Sequence, residues 1–95
     1  MKSGAELISE ERKRQIEEEG FSKLMDSYLN PNDLTMASIC YMKANLMSFE
    51  NAIEDFPWAS SCFKPKDKLR NLVRAGALIA AEIDKFLEES EAKNE

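Results

Sequence analysis

Apolar residues recur along this chain at three- and four-residue steps, the spacing that places side chains on one face of an α-helix. The clearest run lies in the last third, where Leu69, Leu72, Val73, Gly76, Ala80, Ile83 and Leu87 follow one another. The middle of that run is thin: Ala75, Gly76, Ala77, Ala80 and Ala81. A glycine inside a helix costs about 1 kcal/mol against alanine, and close approach of another helix offsets such a cost. An earlier segment carries two stripes, Ile39, Met42, Leu46 and Phe49 on one side and Met36, Cys40 and Met47 on another. Two stripes predict a helix with more than one neighbour, one of which belongs to another subunit in a chain this small. No Val/Ile/Thr-rich alternation occurs, so no strand is predicted.

Local signals set the boundaries. Ser3-Gly4-Ala5-Glu6 fits a capping box and opens a first helix from about Gly4 to Glu19, which Gly20 ends. Phe21 to Leu29 reads as a short helical or irregular piece. Asn30-Pro31-Asn32-Asp33 is a second start, with an Asn cap and Pro at the first helical position, and that helix runs to about Phe49 or a little beyond. Ile53 to Pro65 connects, and Pro65 opens a last helix reaching about Glu88. The expectation is an all-α chain: a single helical domain over residues 1–88 and a polar, fraying tail over 89–95. Three main helices form a small bundle. A chain of 95 residues buries only about 60–65% of its unfolded surface, so the expected partner is a second copy of itself.

Composition narrows the function classes. Charged residues make up 33% of the chain, which suits long solvated helices, and the net charge is −5. That balance argues against duplex nucleic acid, whose binding needs a broad basic face, but leaves room for a local basic pocket. There is no His, which removes the usual base near neutral pH and imidazole metal ligation. Cys40 and Cys62 form no CxxC and read as reduced thiols of a cytoplasmic protein. The opening residues carry no basic-then-apolar leader, and no run of about 18 apolar residues would span a membrane.

Three features carry candidate chemistry. Ile8, Arg12 and Ile16 stand at four-residue steps, so Arg12 interrupts an apolar line, with Glu11 and Gln15 flanking it. A guanidinium there needs acceptors. Either Arg12 pairs with a carboxylate such as Glu82 or Asp84, or Arg12 and Gln15 line a pocket for an anion. Arg14 is expected in solvent. Second, Lys66, Arg70 and Arg74 form a line within Lys64–Arg74, which holds five basic residues against the single acid Asp67. Such a line receives phosphate oxygens or forms a solvated face. Third, Pro57-Trp58, near Lys64, offers a ring that stacks on a nucleobase or lids the core. Glu50 and Glu54 have metal-ligand spacing, but solvation explains most of the acids, and no metal or cofactor is expected. Cys40, Cys62, Ser60 and Ser61 lack a base partner, so no nucleophilic catalysis is expected.

Several stretches together resemble a family of small, uncharacterised phage and prophage proteins. The matching pieces are Glu11-Arg12-Lys13-Arg14-Gln15-Ile16, Glu19-Gly20-Phe21, Pro57-Trp58, Lys64-Pro65 and Leu72 through Asp84. The order of an Arg-Gln helix, a middle helix and an Ala-rich helix also resembles MazG-like all-α nucleotide pyrophosphatases. Those enzymes hold magnesium with Glu-Glu-x-x-Glu on the middle helix. Here that helix reads Asp33-Leu34-Thr35-Met36-Ala37-Ser38, so the expectation leans away from an enzyme. The resemblance implies a phage protein in the bacterial cytoplasm that sequesters a nucleotide signal of host immunity. Arg12, Gln15, Trp58, Lys66, Arg70 and Arg74 would be its contacts. The alternatives are a module that inhibits a host protein and a diverged, magnesium-dependent pyrophosphohydrolase.

Overall fold

Helix formation begins where the capping residues place it. In a computed structural model, which describes residues 1–18, 30 and 32–94, helix α1 spans Gly4–Glu18. Ser3 Oγ accepts from the Glu6 N–H at 3.2 Å, and Glu6 returns a carboxylate to the Ser3 N–H at 3.5 Å. The expected stop at Gly20 and the piece over 21–29 lie outside the described residues. Helix α2 spans Asp33–Lys43. Its cap is Asn32, at φ 73°, a left-handed conformation that Asn tolerates better than most residues. The helix therefore starts later than an Asn30 cap predicts; the Asn30 carbonyl accepts from the Asp33 N–H instead, and Pro31 is outside the described residues.

The single long middle helix is corrected to two. α2 stops at Lys43, and Ser48 caps a four-residue helix α3, Phe49–Ala52, by accepting from the Asn51 N–H. Leu46 is consequently 82% exposed and Phe49 48%, so the predicted apolar stripe does not continue into the core. A 3-10 turn, Ser60–Cys62, follows. Helix α4 spans Lys68–Asn94, past the expected end at Glu88. Asp67 opens it, not Pro65: its carboxylate accepts from the Arg70 N–H at 2.8 Å. Among the described residues there is no strand, and no helix is long and apolar enough to cross a membrane.

α4 is the spine of an all-α bundle, with α1 and α2 both packed on it and α3 beside α2. The core joins Leu34, Ala37, Cys40 and Tyr41 of α2, Ala52 of α3, Phe63 of the connection, and Ala75, Leu78 and Ala81 of α4. The expected packing stripe of α4 divides here. Val73 is buried and Gly76 lies under α1, whereas Leu69, Leu72, Ile83 and Leu87 are more than half exposed. The small residues take the inner face because alanine lets two helices approach closely.

A Cβ at Gly76 would stand 2.6 Å from Cδ1 and 2.8 Å from Cγ1 of Ile8. Gly76→Ala should therefore destabilise the protein, the overpacking cost of about 1–3 kcal/mol exceeding the helix-propensity gain of about 1 kcal/mol. With Ile8→Ala in place, the same substitution should become stabilising. Urea unfolding of the four proteins of this cycle measures the change of sign.

Candidate functional site

Inward positions of α1 run Ile8, Glu11, Arg12 and Gln15, and Ile16 leaves that face. Glu11 and Gln15 are each only 3% exposed, whereas Ile16 is 40% exposed. Helix α1 has too few apolar residues to bury an apolar face, so it buries polar ones that neutralise each other. Arg14 makes a two-point fork on Glu11, Nε to Oε1 at 2.9 Å and Nη2 to Oε2 at 2.6 Å, the geometry that guanidinium and carboxylate share. Gln15 donates Nε2 to Glu11 Oε2 at 3.2 Å. Arg70 of α4 brings Nη1 to 3.8 Å from Glu11 Oε1. Burial pushes the Glu11 carboxyl up, but the Arg14 hydrogen bonds and charge, the Arg74 charge and the Gln15 amide together hold it below its ordinary value.

The segment between α3 and α4 is held against this cluster by two buried side chains. Tyr41 accepts the Lys64 N–H at 3.1 Å and donates to the Cys62 carbonyl at 3.4 Å. Asn71, 2% exposed, accepts from the Lys66 N–H and donates to the Lys66 carbonyl and to Asn45. Trp58 packs edge-on against Phe56, ring centroids 5.6 Å apart, and Phe56 against Phe63 at 4.9 Å. The outcome is a cavity of about 200 Å³ between α1, α2, α4 and the connection. Tyr41, Phe56 and Trp58 form its aromatic wall, and Glu11, Arg14, Gln15, Lys64 and Arg74 its polar wall. The described wall thus holds three cations against one carboxylate.

Three predicted residues meet there: Gln15, Trp58 and Arg74. Arg74 donates Nη1 to the Lys64 carbonyl at 3.1 Å, and its guanidinium carbon lies 5.9 Å from the Tyr41 ring centroid. Its Nε has no hydrogen-bond partner among the described residues, and neither has Gln15 Oε1. The other three lie elsewhere. Arg12 pairs with Asp84 at 3.7 Å, the internal pairing that its position on α1 allowed. Arg70 is held at Glu11 on the rim of the cluster. Lys66 is exposed and precedes α4, so the basic line is not one helical face. Arg14, expected in solvent, lines the cavity. Glu11 is the central residue that sequence reasoning missed. Its signal was the Glu11–Gln15 spacing, which marks the inward face only if polar residues are allowed inside.

Both thiols are free; Cys40 is buried and Cys62 exposed at the cavity wall. No group of three or more metal-ligating side chains occurs among the described residues. No family model matches this chain, and no curated protein or solved structure matches it either.

A carboxyl depressed by folding binds protons more readily in the unfolded chain, so stability rises with pH through the acid range. The Glu11 contribution is complete above the unfolded carboxyl value of about 4.3 and is lost as pH falls through the lower folded value. Glu11→Gln should lower stability at neutral pH by on the order of 1–3 kcal/mol and flatten the acid limb. Urea midpoints across a pH series, for the native chain and this variant, test both.

Proposed function

We propose that this chain is a non-catalytic binding protein whose cavity takes the base and nearest phosphate of a nucleotide-type ligand. Its role, on the resemblance to phage proteins, is to withhold a nucleotide signal of host immunity. The carrying observation is the cavity itself. It joins an aromatic wall to an excess of positive charge, in a chain whose net charge is −5.

Chemistry supports each contact. Glu11 is occupied by the Arg14 fork, which leaves Arg74 and Lys64 to neutralise a phosphate. Trp58 and Tyr41 offer ring surface, and base stacking contributes about 1–3 kcal/mol. The Gln15 amide is oriented by its bond to Glu11, so Oε1 is the acceptor left over. A ligand that satisfies it brings an N–H or O–H donor, such as the exocyclic amine of a base. The volume of about 200 Å³ is below the 300–1,000 Å³ typical of pockets that enclose a whole drug-sized ligand. The cavity therefore suits one base with its phosphate, and the remainder of a dinucleotide would extend outside.

The test is calorimetric titration with cyclic dinucleotides, ADP-ribose-derived signals and simple nucleotides. Binding of one class is expected, with Arg74→Ala weakening it about 10-fold or more, the loss of a charge-assisted bond of about 1.5–3 kcal/mol. Trp58→Ala should have a similar effect, and the ligand should be recovered intact in the presence of magnesium. Absence of heat with every compound at high protein concentration would remove the reading. Thiol labelling locates the site. Burial holds the Cys40 thiol protonated, so maleimide should modify Cys62 alone, and bound ligand should slow it.

A further inference from the structure

We infer that the outer face of α4 pairs antiparallel with α4 of a second copy of this chain, making a two-fold dimer through a heptad seam. The face consists of Leu69, Leu72, Ile79, Ile83 and Phe86, with Ile8 of α1 filling the position of Gly76 between Leu72 and Ile79. Counted through Gly76, their steps are three, four, three, four and three, the a/d spacing of a left-handed coiled coil. Leu69, Leu72, Ile83 and Phe86 are 62, 52, 53 and 59% exposed, and Ile79 is 40% exposed. Each keeps 40% or more of its surface open to solvent, while the opposite face of the same helix carries the buried Val73, Ala77, Leu78 and Ala81.

The spacing reads the same from either end. Two antiparallel copies therefore place Leu69 against Phe86, Leu72 against Ile83 and Ile79 against the Ile8 that covers Gly76, then repeat in reverse. Every large apolar side chain of the seam then meets another. At the centre that other is Ile8 of α1, which sits over Gly76. The seam is about 25 Å long at 1.5 Å per residue.

Charge selects the direction. Lys66 and Lys68 are exposed at one end of the seam, and Glu89 and Glu91 at the other. An antiparallel pair sets the lysines of each copy beside the acids of its partner. A parallel pair in register sets lysine against lysine and acid against acid, which is unfavourable. The contact is isologous, so it closes as a dimer, and it leaves the cavity wall of Trp58, Lys64 and Arg74 outside the seam.

Sedimentation of the full chain over a range of concentrations should give about twice the single-chain mass of 10.8 kDa. Ile79→Glu should halve that mass while far-ultraviolet circular dichroism shows the helices retained. Direction is read by cross-linking in a Cys62→Ser background. Leu72→Cys mixed with Ile83→Cys should form a disulfide, while neither should do so alone, because like positions stand about 16 Å apart and a disulfide needs Cα atoms within about 7 Å. A single-chain mass at every concentration, a mass that Ile79→Glu leaves unchanged, or disulfides formed by each variant alone would overturn the proposal.

Discussion

Withdrawing a carboxylate from water costs several kcal/mol unless cations and donors surround it, and Glu11 is surrounded from two helices. Arg14 and Gln15 come from its own helix, Arg70 and Arg74 from α4. This cluster sets where α1 docks. The apolar contribution of α1 is small, chiefly Ile8 over Gly76, and Ile16 leaves 40% of its surface in solvent. The Arg12–Asp84 pair joins a guanidinium side chain only 11% exposed to a half-exposed carboxylate, so the cost of withdrawing Arg12 from water offsets part of its attraction. A buried, saturated carboxylate gives α1 a defined register, because a shift along α4 would strand the charge.

The same interaction shapes the candidate site. Glu11 uses the Arg14 fork and draws Arg70 to the rim, so these cations are committed to holding the fold. Arg74 is different. It reaches across to the Lys64 carbonyl and lies over the Tyr41 ring, with Nε left over. The connection that supplies Trp58, Cys62 and Lys64 has little regular structure, yet Tyr41 and Asn71 pin its backbone at both ends of Cys62–Lys66. A cavity walled by a loop is thus positioned by buried hydrogen bonds from two helices, which is how a rigid scaffold presents binding groups.

Helix α4 serves two surfaces with one sequence. Alanine and glycine on the inner face let α1 and α2 approach, and the large apolar residues that would keep helices apart are turned outward. A single composition therefore yields a tight monomer core and an unsatisfied outer stripe. That arrangement suits a short chain, whose monomer buries a limited share of its surface.

Helical periodicity, the Ser3–Glu6 box and the absence of alternating runs determined an all-α chain from the amino acids alone, because these signals act between residues three or four apart. The small-residue middle of α4 was legible for the same reason. Tertiary structure decided the rest. Glu11 became the centre of the site only because Arg70 and Arg74, about sixty residues away in the chain, reach it across α1 and α4. Lys66 left the basic line because Asp67, a side chain able to cap, starts the helix after it. The outward turn of Leu69, Leu72 and Ile83 was hidden because apolar spacing marks a face without saying what will cover it. Periodicity is a local property, whereas burial of a charge depends on which distant groups arrive to neutralise it.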